Sequence, residues 1–142
     1  MQLRRRIRKP LGFTLVELLL VLVILGILAA AVITNFSGRV KKARITAATS
    51  DISNIGVALD AFEVDIGRYP KTEEGLQALV ENASNDDKWN GPYLKKGLPK
   101  DPWGNAYNYV APGSHGLYDL TSNGPDGVEG GDDDITSWSN SK

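Results

Sequence analysis

The longest pattern in the chain is an apolar run from Phe13 to Ile33, interrupted by polar side chains only at Thr14 and Glu17. A helix of that length, at ~1.5 Å per residue, spans about 31 Å, the thickness of a bilayer's hydrocarbon core. The pattern then changes. Ile45, Ala48, Ile52, Ile55, Leu59, Phe62 and Ile66 recur at alternating steps of three and four, one stripe of an amphipathic helix. Arg44, Asp51, Asn54, Asp60, Glu63 and Asp65 occupy its other faces. No proline falls between Phe13 and Gly67, and Gly67 followed by Pro70 marks the stop. The expectation is a transmembrane or filament-core helix over 13–33 that continues as an amphipathic helix over 34–66. If continuous, it is a rod of about 80 Å, weakened locally by Gly26 and Gly38.

Beyond Pro70 the periods shorten. Thr72 is placed to cap a short helix over Glu73 to Glu81, with Leu76, Leu79 and Val80 turned inward. Prolines and glycines around Trp89, Tyr93 and Trp103 signal turns, and those aromatics suit core packing better than ligand contact. Short strands are expected at Ala106–Val110 and Gly116–Thr121, joined through Pro112-Gly113. The class is therefore α+β, with a small α/β region over 67–142. With the apolar run set aside, about 109 residues remain, enough for one modest core.

Charge sets the orientation. Arg4, Arg5, Arg6, Arg8 and Lys9 precede the apolar run with no acid among them, so this end stays cytoplasmic and the rest is exported. The whole chain has 16 basic and 17 acidic residues; without Met1–Gly12 it has eleven against seventeen, a net charge of −6. An acidic exported part disfavours nucleic acid as a partner. Cysteine is absent, so neither disulfides nor thiolate metal sites are available in an oxidising compartment.

Glu17 is the anomaly, because a charge inside a membrane helix needs a neutralising partner. Cleavage between Gly12 and Phe13 would create an α-amino group, and in a stack of identical subunits that cation can meet a neighbour's Glu17. An ordinary secretory signal cut after Ala29-Ala30-Ala31 fits less well, since the run is too long and carries an acid. A plain single-pass anchor leaves Glu17 without a purpose. The basic leader ending in Gly12, then Phe13, Thr14, Leu15 and Glu17, resembles the class III signal of type IV pilins and pseudopilins. That resemblance implies cleavage by a prepilin peptidase after Gly12, methylation of the Phe13 amine and an assembly role for Glu17. Many relatives carry a proline where this chain has Thr34, which puts local unwinding of the helix there in doubt.

Gly67-Arg68-Tyr69-Pro70, Glu74-Gly75-Leu76-Gln77-Ala78-Leu79, Gly91-Pro92-Tyr93 and Asp101-Pro102-Trp103-Gly104 resemble the major pseudopilins of type II secretion systems, a likeness covering nearly the whole chain. It implies a ladle-shaped subunit: residues 1–12 a cleaved leader, 13–33 the membrane or filament-core helix, 34–142 the periplasmic domain. It also implies self-assembly into a periplasmic filament that moves folded proteins through an outer-membrane secretin. The implied partners are minor pseudopilins, the prepilin peptidase and inner-membrane platform proteins, and the implied location is the bacterial inner membrane with the C-terminal domain in the periplasm. A surface-fibre type IV pilin and a non-polymerising single-pass calcium-binding protein are the alternatives. The missing cysteine pair argues against the former.

Asp126, Glu129, Asp132, Asp133 and Asp134 crowd into a glycine-rich stretch between Asn123 and Ile135. Read from residues alone, this is either a solvated loop or a calcium site, since calcium accepts six to eight oxygens in flexible geometry. The spacing does not fit an EF-hand, magnesium demands tighter geometry, and zinc lacks its usual ligands. The pseudopilin resemblance implies calcium, with Asp126 and Asp134 the best-matched ligands, Asp132 and Asp133 less well matched, and the carbonyls of Asn123 and Val128 completing the set. Catalysis has no foothold in the sequence: His115 stands alone in a turn, and no nucleophile, zinc or phosphate motif is present.

Overall fold

The computed structural model describes residues 12–139, the side chains of 31–37 excepted; the basic leader through Leu11 lies outside them. The first element is helix α1 (Leu15–Ile66), which runs through Thr34 without a break. The chain divides into two compact units, one ending at Arg39 and the other beginning at Val40.

In the first unit the described apolar side chains from Leu15 to Leu28 are all exposed, Leu22 and Ile27 at 66%. Among the described residues no helix is long and apolar enough to cross a membrane. The apolar run counted from the sequence extends to Ile33, past the residues whose side chains are described.

The second unit holds the core. Ala48, Ile52, Ile55, Ala58, Leu59 and Phe62 of α1 are buried with Leu76, Leu79, Tyr107, Tyr109, Leu120 and Ile135. Each fully buried Leu or Ile removes enough apolar surface from water to contribute about 1.5–3 kcal/mol, which makes this stripe the main support of the small domain. Burial begins at Ala48, whereas Ile45, expected on the stripe, remains 38% exposed. Acids on the flanks of α1 receive tyrosine hydroxyls: Tyr107 donates to Asp51 at 3.0 Å, Tyr69 to Asp60 at 3.0 Å and Tyr93 to Asp65 at 2.9 Å. Each ring thus packs an apolar face while its hydroxyl finds a charged acceptor at the rim. Gly67 ends the helix with φ +87°, its N–H donating to the Glu63 carbonyl at 2.7 Å.

The expected helix over Glu73–Glu81 is instead a turn followed by one 3-10 turn, Leu76–Leu79. Two local causes account for this. Gly75 sits at φ +60°, and the carbonyls that a longer helix would use are taken elsewhere. The Trp89 indole N–H donates to the Ala78 carbonyl at 2.9 Å, and the Tyr93 N–H donates to that of Leu79 at 2.8 Å. Thr72 caps nothing; its hydroxyl accepts from the Ala111 N–H at 2.9 Å and donates to the Ala111 carbonyl at 3.0 Å. Leu76 and Leu79 point inward as expected, joined by Ala78, while Val80 is only half-buried.

The anchor of this segment is Glu74. It accepts the Lys71 N–H at 2.7 Å and both Arg68 guanidinium nitrogens at 2.6 and 2.8 Å. The Arg68 hydrogen bonds outweigh partial burial and lower the Glu74 carboxyl to about 2. Pairing favours the charged form, so the stabilisation is complete above the ordinary carboxylate pKa and drains away as pH falls from about 4.5 towards about 2. Half-exposed, the pair contributes no more than ~1 kcal/mol. Glu74→Gln is expected to lower the melting temperature modestly at pH 7, with the gap to the wild type narrowing below about pH 4.5 and closing below about pH 2; a constant gap across that range would refute the pairing.

The sheet is antiparallel, order β1-β2-β3, from β1 (Asn108–Val110), β2 (Asp119–Ser122) and β3 (Ile135–Thr136). Tyr109 faces Leu120 and Ser122 faces Ile135 in register. β2 starts three residues later than expected because the chain before it wraps the Asp119 carboxylate, which accepts the N–H groups of Ser114 at 2.8 Å and His115 at 3.1 Å. The third strand, only two residues long, was not expected.

Candidate functional site

Two places concentrate the candidate residues: the start of α1 and the loop between β2 and β3. At the first, Gly12 and Phe13 are exposed, and a Cβ built on Gly12 would meet open space. Thr14 and Glu17 form a reciprocal cap. The Glu17 N–H donates to the Thr14 hydroxyl at 3.2 Å, and the Thr14 N–H reaches the Glu17 Oε2 at a longer 3.5 Å. This is the capping box, and its T-x-x-E signature is present in Thr14-Leu15-Val16-Glu17. Glu17 thus has a local duty that reasoning from membrane charge alone overlooked.

At the second place, the β2–β3 loop is tied down at its first residues. Asp101 is buried and fully partnered: its Oδ1 accepts the N–H groups of Trp103 at 3.0 Å and Asn105 at 2.7 Å, and its Oδ2 accepts the Ser122 hydroxyl at 2.7 Å. The Ser122 oxygen then accepts the Gly124 N–H at 3.3 Å. Gly124 has φ +63°, and a Cβ there would collide with the Asp133 carbonyl, so only glycine lets the two ends of the loop cross. In the sequence Asp101 signals only a turn; D-P-W-G gives no hint of its link to Ser122.

Within the loop, the candidate ligands are partly gathered. Asp126 Oδ2, the Val128 carbonyl and Asp133 Oδ1 all lie within 3.7 Å of the point that a Gly131 Cβ would occupy. Asp126 Oδ1 accepts the Val128 N–H at 2.9 Å, which shapes the turn. Asp134 Oδ2 accepts the Gly130 N–H at 2.7 Å, while its Oδ1 is buried without a partner. The Asn123 side chain turns to other tasks, accepting from Asn108 at 2.7 Å and donating to the Gly127 carbonyl at 3.4 Å. Asp132 is exposed and takes no part. Among the described residues no three acids or histidines stand close enough to hold a metal as they are. The donor set is nevertheless all oxygen, with a cradle at Gly131 and an orphaned buried carboxylate oxygen, and both features fit a hard cation of calcium's size.

His115 is engaged structurally. Its Nδ1 lies 3.1 Å from Asp119 Oδ2, and its ring stacks on Trp138 with centroids 4.0 Å apart. Burial of Asp119 opposes ionisation, but the hydrogen bonds from His115 and the backbone prevail and hold its carboxyl below the usual range.

A capped helix that begins directly after a glycine junction, followed by a small α+β head, defines the class of subunits bearing the prokaryotic N-terminal methylation motif, which matches residues 7–33. Residues 35–138 match the family described as type II secretion system (T2SS), protein G. The chain belongs to the type II secretion system protein G family, the structural major pseudopilins of that machinery. It is 49% identical to the type II secretion system core protein G of Pseudomonas aeruginosa over 140 residues, 94% of this chain and 98% of that one. With the core protein G of Escherichia coli the identity is 48%, covering 94% of each. The crystal structure of the major pseudopilin from the type 2 secretion system of enterohaemorrhagic Escherichia coli superposes with a TM-score of 0.64 at 37% identity, covering 74% of this chain and 95% of that one.

Proposed function

We propose that the chain is stored in the bacterial inner membrane as a single-pass protomer with residues 34–142 in the periplasm. It is cut by a prepilin peptidase between Gly12 and Phe13, methylated on the Phe13 amine, and polymerised into a periplasmic pseudopilus. The observation that carries this reading is the all-round exposure of the apolar side chains Leu15–Leu28. A surface of that extent is not left in water, so lipid covers it before assembly and sister helices afterwards. Glu17, at the start of that surface, is placed to receive the amine of a neighbour. The growing filament helps push folded proteins through the outer-membrane secretin, together with minor pseudopilins and inner-membrane platform proteins. The role is mechanical rather than catalytic, which is supported by the engagement of His115 with Asp119 and Trp138.

In the head, Asp126, Asp133, Asp134 and the Val128 carbonyl hold calcium, with Asp132 and the Asn123 carbonyl as further donors when the loop closes. The bound ion supplies positive charge that offsets the mutual repulsion of the acids and stiffens the loop.

Mass spectrometry of the N-terminus of membrane-extracted protein tests the processing. A chain beginning at methylated Phe13 is expected. One beginning at Val32 would indicate ordinary secretion, and one beginning at Met1 an uncut anchor; either outcome removes the filament reading.

A further inference from the structure

Between Glu17 and Asp51 the chain has no acidic residue, yet it carries Arg39, Lys41, Lys42 and Arg44. The last three lie in the second unit, exposed on α1 before the core begins at Ala48. Among the described residues the ion pairs are Arg68–Glu74 and His115–Asp119, and none of these cations pairs with an acid there. Their distribution is informative. At about 100° per residue, Lys41, Lys42 and Arg44 fan over about 160° of the helix rather than along one stripe. The bases also fall within eleven residues of Ile33, the end of the apolar run.

We propose that Lys41, Lys42 and Arg44 form a cationic collar that binds anionic phospholipid headgroups on the periplasmic face of the membrane. The inference rests on the membrane-stored protomer proposed above. The cytoplasmic leader cations leave with Met1–Gly12, so after processing this collar is the principal basic group beside the bilayer. It ties release of the stored protomer to lipid charge, because each subunit entering a filament must exchange headgroups for other counter-charges.

The test uses the full processed chain in bilayer nanodiscs, calcium-free, of phosphatidylcholine alone or with phosphatidylglycerol. Lysine acylation is read by mass spectrometry, with Lys95, Lys96 and Lys100 of the head as internal controls. Labelling of Lys41 and Lys42 is expected to fall at least about threefold with phosphatidylglycerol and to recover near 1 M salt, where the screening length shrinks to about 3 Å. Equal labelling in the two lipids, with the chain embedded in both, overturns the collar and leaves the membrane reading intact. Shielding that follows the number of copies per disc, whatever the lipid, overturns it in favour of a second copy's acids. A chain that enters neither disc fails the membrane reading itself and the collar with it.

Discussion

Glu17→Gln is expected to abolish filament assembly while leaving the head folded and the start of α1 capped. Glutamine serves the N-terminal capping position as well as glutamate does, so the reciprocal bonds with Thr14, 3.2 and 3.5 Å in the wild type, survive the exchange. What disappears is the negative charge that would meet the Phe13 amine of a neighbour. Leaving one member of a buried pair alone costs about 3–5 kcal/mol, equivalent to a loss of roughly two to four orders of magnitude in affinity at each subunit addition. Glu17→Ala also removes the side-chain half of the box, while the Thr14 hydroxyl still accepts the residue-17 N–H, and should lower helix stability by a further ~0.5 kcal/mol. The measurement is the yield of sheared filaments beside a thermal melt of the head. Normal filaments from the glutamine variant would show that Glu17 acts only as a cap, and the pairing would have to be abandoned.

The second large effect is on the β2–β3 loop. Calcium at a hundredfold excess over its dissociation constant should stabilise the folded chain by about 2.7 kcal/mol, raising the melting temperature by on the order of 10 °C for a domain of this size. Asp126→Asn and Asp134→Asn should each remove most of that rise. Gly131→Ala is the sharper variant, since it keeps every carboxylate and places a methyl among Asp126 Oδ2, Asp133 Oδ1 and the Val128 carbonyl. Its melt without calcium should stay near wild type, because the nearest obstacle is the movable end of the Asp133 side chain at 2.8 Å. Magnesium should give a far smaller rise. If calcium leaves the wild-type melt unmoved, the loop is a solvated acidic turn and no more.

Sequence periodicity revealed α1 and its buried stripe well, because a three–four spacing admits one partner face and Gly67 an unambiguous stop. It failed between Thr72 and Glu81, where local propensity favoured a helix but distant groups, the Trp89 indole and the Tyr93 N–H, had first claim on the carbonyls. Thr72 bonds to Ala111, thirty-nine residues away, a partner no window of sequence contains. β3 was invisible for a related reason: two residues carry no alternation, and Ile135–Thr136 becomes a strand only because β2 already presents Thr121 and Ser122. In the site, composition marked the acidic loop, and the structure brings Asp126, Asp133 and Val128 together while leaving Asp132 outside. The Asp101–Ser122 tie had no sequence signal, since a buried carboxylate is recognised by its surroundings. The Thr14–Glu17 box does have one, the T-x-x-E spacing, which coincides with the start of the apolar run.

The outer edge of β1 is three residues long and that of β3 only two. Filament formation crowds many copies of this head into a small volume, conditions under which a long bare strand would recruit its sisters and weld them into an irreversible aggregate. Stubby margins deny such a template, so heads can stand side by side without fusing.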